Sequence, residues 1–233
     1  MPLHIGMVGC SAEGAALCYR TICVEGSELL HTAHAHPELS MHAHSLADYV
    51  RCLDRRDLLG VAELMLSSAS KLTAAGVDFL ICPDNTIHQA MHHALPRSPL
   101  PWLHIAEVVA SQAAARGFCR LGLTGTRWLV DSDVYPEKLA AHGLTCVRPN
   151  AAERDDISRI IMDELVRGVC RPDAVTTFQR VISRMRDEDS CDAVILGCTE
   201  IPLILSDANS PLPTLDSTRL LARAALQRAA AKR

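Results

Sequence analysis

Short apolar runs recur along the chain, at HIGMVG (4–9), DFLICP (78–83), RLGLTG (120–125) and DAVILGC (192–198). Each predicts a buried strand. Between them lie stretches with apolar residues three and four apart, notably Asp57 to Ala75 and Asp155 to Val169, which predict helices with one face turned inward. Strands that alternate with helices call for a parallel sheet covered by helices. The pattern also looks doubled, since a strand running into Asp84-Asn85-Thr86 is answered by one running into Cys198-Thr199-Glu200. The expected fold is therefore α/β, with two pseudo-symmetric lobes, each a parallel sheet flanked by helices, and an active site between them. Residues 1–101 would form the first lobe and 102–214 the second. The Ala-, Leu- and Arg-rich tail, 215–233, would be a closing helix that returns to the first.

Composition narrows the function more than the fold. Aromatic residues make up only 3% of the 233, so aliphatic side chains must fill the interior. A net charge of -4 without a basic block gives no reason to expect nucleic acid or a membrane surface as partner, which leaves small-molecule chemistry. The start MPLHIGMVG lacks the charged, then long apolar, pattern of a secretion signal, and a cytoplasmic location is expected. The 10 cysteines fall on apparent helices and strands without a CxxC pair, and are read as reduced thiols. His31, His34, His36, His42 and His44 crowd together but lack an acidic partner to complete a metal site. GMVGCSAEG does not have the glycine spacing of a dinucleotide loop.

In parallel sheets, ligand-binding groups gather at the carboxyl ends of strands. That rule selects Gly9-Cys10-Ser11, Asp84-Asn85-Thr86, Thr124-Gly125-Thr126 and Gly197-Cys198-Thr199-Glu200. An acid or thiol there can move a proton to or from carbon, while small hydroxyl and amide side chains hold a carboxylate and the charge that develops on it. Asp84 has a plainer reading as well: after Pro83 it suits the N-cap of a helix.

The stretch CPDNTIH (82–88) resembles the C-N-T-x-H signature of the cofactor-independent aspartate/glutamate racemase superfamily, and LGCTEIPLIL (196–205) resembles its G-C-T-E signature. Further similar segments, GMVGCSAEGAALCYR, WLHIAEVVA, LGLTGTRWLVDSDVY and AERDDISRIIMDEL, follow in the same order over nearly the whole chain. The resemblance implies an amino-acid racemase that uses neither pyridoxal phosphate nor a metal, acts on a free amino acid and forms a homodimer. It makes Asp84 and Cys198 the catalytic pair, with Ser11, Asn85, Thr86, Thr126, Thr199 and Glu200 about the substrate. Arg56, or its neighbour Arg55, would meet a substrate side-chain carboxylate.

Two departures from the family pattern bear on chemistry. Asp84 stands where a second cysteine is usual, so a carboxyl faces a thiol. Their ordinary pKa values lie near 3.9 and 8.5, a mismatch of roughly 6 kcal/mol between the two protonation arrangements. Asp156 stands where the resemblance leads one to expect a lysine that holds an acidic substrate, which weakens the case for an acidic substrate and leaves a neutral or basic one open. A single-cysteine decarboxylase or isomerase of the same superfamily, and an inactive small-molecule-binding relative, are the alternatives.

Overall fold

The computed structural model describes residues 2–231. The chain divides into two compact units, Met1–Ile105 with Thr218–Arg233, and Ala106–Ser217. The first holds β1 (Ile5–Gly9), α1 (Ala12–Leu30), β2 (Leu39–Ala43), α2 (Leu46–Asp54), α3 (Leu58–Ala74), β3 (Phe79–Ile81), α4 (Met91–Ala94) and β4 (Trp102–Leu103). α5 (Ile105–Ala115) leads into the second, which holds β5 (Arg120–Thr124), α6 (Arg127–Val130), α7 (Val134–Ala141), β6 (Thr145–Val147), α8 (Ala151–Asp163), α9 (Pro172–Asp187), β7 (Ala193–Leu196) and β8 (Thr214–Asp216). α10 (Ser217–Ala230) ends the described chain in the first unit.

The first sheet runs β2-β1-β3-β4 and the second β6-β5-β7-β8, with every pairing parallel. All five residues of β1 and all four of β7 are buried, as expected of central strands covered on both faces. Gly6 is required by that packing: a Cβ there would lie 2.7 Å from a Val77 methyl and 2.8 Å from one of Leu80. In the second unit α8 and α9 bring Ile157, Ile160 and Ile161 against Phe178, Val181, Ile182 and Met185, a core continuous with Val194 and Leu196 of β7.

Helix ends follow from their caps. The Asn150 side chain accepts the Glu153 amide, and the Glu153 carboxylate accepts the Asn150 amide, so α8 starts four residues ahead of the expected Asp155. It stops at Asp163, and a 3₁₀ turn then ends at Gly168, whose φ of 72° suits glycine. Buried Glu153 also takes two bonds from Arg184 of α9, at 2.6 and 2.8 Å. This pairing, helped by Asp189, pushes the guanidinium pKa above its ordinary value.

The closing helix needs a correction. Leu215 and Asp216 are not helical but pair with Ile195 and Leu196 as part of β8, and the helix begins at Ser217. The strand is held by the Asp207 carboxylate, which accepts both the amide and the hydroxyl of Thr214 at 2.7 Å. All ten cysteines are free thiols. Among the described residues no helix is long and apolar enough to cross a membrane.

Candidate active site

In the first unit, the chain leaves β1 through Cys10 and Ser11, and leaves the adjacent β3 through Cys82, Pro83 and Asp84. Ser11 is buried and caps α1, its hydroxyl accepting the Gly14 amide at 3.2 Å. Asn85 and Thr86 are buried, and Asp84 is half-buried. Asp84 Oδ1 accepts the Ile87 amide at 3.1 Å at the entry to a 3₁₀ turn over Thr86–Ala90, whose N-cap position is Asn85 and not, as the sequence suggested, Asp84.

His88 fixes the backbone of Asp84. Its Nε2 faces the Ile105 amide at 3.3 Å and must accept from it. The ring proton therefore sits on Nδ1, which donates to the Asp84 carbonyl at 2.6 Å. The ring also meets His104 edge-on, with centroids 4.7 Å apart. Burial lowers the His88 pKa to about 4, against the opposing pull of the Asp84 carbonyl. A folded-state value below the unfolded one means stability that is whole above pH ~6.5 and is lost as pH falls towards 4, about 3 kcal/mol in all. Thermal melts from pH 7 down to pH 4.5 should show this loss in the wild type and a shallower one in His88→Asn. Equal slopes in the two proteins would exclude the imidazole as its source.

Cys82 lies deeper. Burial, and then the Asp84 charge, push its pKa well above the thiol range, so it stays a neutral thiol of the core. Arg55 and Arg56 are exposed at the corner between α2 and α3. Arg56 has a left-handed φ of 56°, followed at once by Asp57, which caps α3 through the Gly60 amide at 2.8 Å. His44, between β2 and α2, bonds Ser67 of α3 at 3.1 Å.

In the second unit, Thr126 follows β5 and caps α6, and Cys198, Thr199 and Glu200 follow the adjacent β7; all four are buried. Their backbones meet through glycine. The Gly197 amide donates to Thr124 O at 2.8 Å, and a Cβ on Gly197 would lie 2.6 Å from that oxygen. The end of β7 is pinned further by Thr124 and Ser217, whose hydroxyls donate to Ile195 O at 2.7 Å and Leu196 O at 2.8 Å.

The sharpest feature is the environment of Cys198. Its thiol donates to Glu200 Oε2 at 2.9 Å, and the Thr199 hydroxyl donates to the same oxygen at 2.8 Å. Glu200, only 2% exposed, is thus a built-in acceptor for the thiol proton. Sequence reasoning placed Glu200 near substrate and missed this bond. The two-residue spacing across a turn was the available signal.

Asp156 also differs from expectation. It turns to Arg180 of α9, at 3.5 Å, whereas the α8 residues that reach the loop after β5 are Ser158, which accepts the Arg127 amide at 3.2 Å, and Asp155, which pairs with Arg127 at 3.4 Å. Asp156 lies on the other side of the helix from Ser158.

The chain has relatives in sequence and in fold. The Asp/Glu/Hydantoin racemase family model matches residues 14–225. The chain belongs to that family. Within it, the chain is 24% identical over 161 residues, 68% of either protein, to the broad specificity amino-acid racemase of Bacillus subtilis (strain 168). An aspartate racemase homologue from Pyrococcus horikoshii OT3 has a similar crystal structure, with TM-score 0.82, 26% identity and coverage of 97% of this chain and 98% of that one. A candidate Asp/Glu racemase from Yersinia pestis gives TM-score 0.87, 27% identity, and coverage of 97% and 99%.

Proposed function

We propose that the protein is a cofactor-independent amino-acid racemase in which Asp84 and Cys198 are the proton-transfer groups and Glu200 is the proton store for the thiol. The observation that carries this reading is the Cys198–Glu200 bond. A thiol and a carboxyl alone are a poor match, because their ordinary acidities are far apart. Glu200 changes the comparison.

In one direction the Asp84 carboxylate takes the α-proton, and the electron pair of the C–H bond moves onto the substrate carboxylate. The Cys198 thiol then gives its proton to the α-carbon, and the thiolate is refilled from a protonated Glu200. The product state has Asp84 protonated, Cys198 as thiol and Glu200 ionised. In the reverse direction the Glu200 carboxylate takes the thiol proton, the thiolate takes the α-proton, and Asp84 returns its proton to carbon. The two resting states differ by one proton held on Asp84 or on Glu200. The exchange therefore runs between the Asp84 and Glu200 carboxyl groups by way of the thiol.

Asn85, Thr86, Thr126, Thr199 and Ser11, with nearby backbone amides, suit the substrate carboxylate and amine, where preorganised donors lower the cost of the developing charge. Arg56 is the candidate for a substrate side-chain carboxylate. The likeness to a broad specificity racemase argues for a panel of substrates.

The test is proton NMR in heavy water with acidic, neutral and basic amino acids, alongside chiral chromatography. Loss of the α-proton signal together with appearance of the other enantiomer is expected for at least one of them. Carbon dioxide release from a substituted malonate with no α-exchange in any amino acid would replace the proposal with a decarboxylase. Binding without turnover would replace it with a sensor.

A further inference from the structure

Tyr49 of α2 is fully buried, and its hydroxyl makes no hydrogen bond of proper geometry. Such a group is a net cost to folding, and phenylalanine would fill the same space without that cost. The surroundings of the ring suggest why a hydroxyl is kept. Cys10 after β1, Cys82 and Asp84 after β3, and Ser68 of α3 all act on it; burial, and then Cys82, Cys10 and Asp84, push its pKa far above the tyrosine range, with Ser68 pulling the other way. Tyr49 is therefore a neutral O–H donor at the carboxyl edge of the first sheet.

Of these neighbours the two buried thiols are poor acceptors, and Ser68 lies near the hydroxyl without hydrogen-bond geometry to it while bonding His42 Nδ1 at 2.9 Å, with Lys71 on the far side of that ring at 3.0 Å. The strong acceptor is the Asp84 carboxylate. In the structure its Oδ1 is turned to the Ile87 amide.

We propose that Tyr49 is a positioning residue for the racemisation reaction, its buried hydroxyl receiving the Asp84 carboxylate when that side chain turns inward during turnover. The inference rests on Asp84 being a proton-transfer group, and it adds a residue from a helix that carries none of the family-like motifs. Tyr49 orients the acid without touching substrate.

The test is a double-mutant cycle of Tyr49→Phe and Asp84→Asn, with kcat, KM and melting temperature measured for each protein. Tyr49→Phe is expected to lower kcat about 10- to 100-fold, the range for a lost hydrogen bond to a charged group, with KM nearly unchanged. Its melting temperature should stay level or rise, because an unpaired buried hydroxyl has been removed. In the Asp84→Asn background the same change should have little further effect. Wild-type kcat in Tyr49→Phe, with Asp84→Asn impaired, overturns the role of Tyr49 and leaves Asp84 standing. Wild-type kcat in Asp84→Asn overturns both. A lowered melting temperature in Tyr49→Phe, or a full additional loss in the double variant, makes the hydroxyl structural and ends the proposal.

Discussion

Cys198→Ala should slow racemisation by about 10²–10⁴-fold, the usual contribution of a positioned acid or base, while leaving α-proton exchange of one enantiomer measurable. The methyl of alanine neither stores nor gives a proton, and it leaves Glu200 bonded to Thr199 alone among the two donors that now share Oε2. Asp84 keeps its place on the 3₁₀ turn and can still take an α-proton and return a deuteron to the same face. The enantiomer presented to Asp84 should wash in deuterium without inversion, and its mirror image should stay protonated. The measurement is deuterium incorporation into each pure enantiomer, followed by mass spectrometry. Equal incorporation into both would remove Cys198 from the reaction.

Asp84→Asn should give the mirror result. The carboxamide still accepts the Ile87 amide through its oxygen, so the turn that carries it should persist, but it cannot ionise. Racemisation should again fall by about 10²–10⁴-fold, and the surviving exchange should belong to the opposite enantiomer, through the Cys198–Glu200 pair. The pair of variants makes a stricter test than either alone. If both retain exchange of the same enantiomer, the two side chains do not divide the work, and a one-residue mechanism takes its place.

The four central strands were legible because each is buried on both faces and must be written as an apolar run. The edge strands were not equally plain: β4 has two residues and β6 and β8 three each, too few for any periodicity to declare itself. β8 in particular is continuous with helix-forming sequence, and only its pairing with β7 makes Leu215 and Asp216 extended. The candidate residues of Asp84–Thr86 and Cys198–Glu200 were found by a rule about strand ends, which depends on local order alone. What the chain order hides is direction. The turn of Asp156 away to Arg180 and the burial of Tyr49 at the edge of a sheet it does not belong to are set by packing partners distant in sequence, while the turn of the Glu200 carboxylate back to sulfur is a choice of side-chain rotamer within one turn.

The shared strand order of the two units has a consequence for how the chain can vary. Asp84 leaves the third strand of one sheet counted from its edge, and Cys198 leaves the third strand of the other, so the two occupy matching addresses in a motif written twice. Repetition of one strand order gives each sheet the same address for a side chain, and a change at one address leaves the strand order that presents the other untouched.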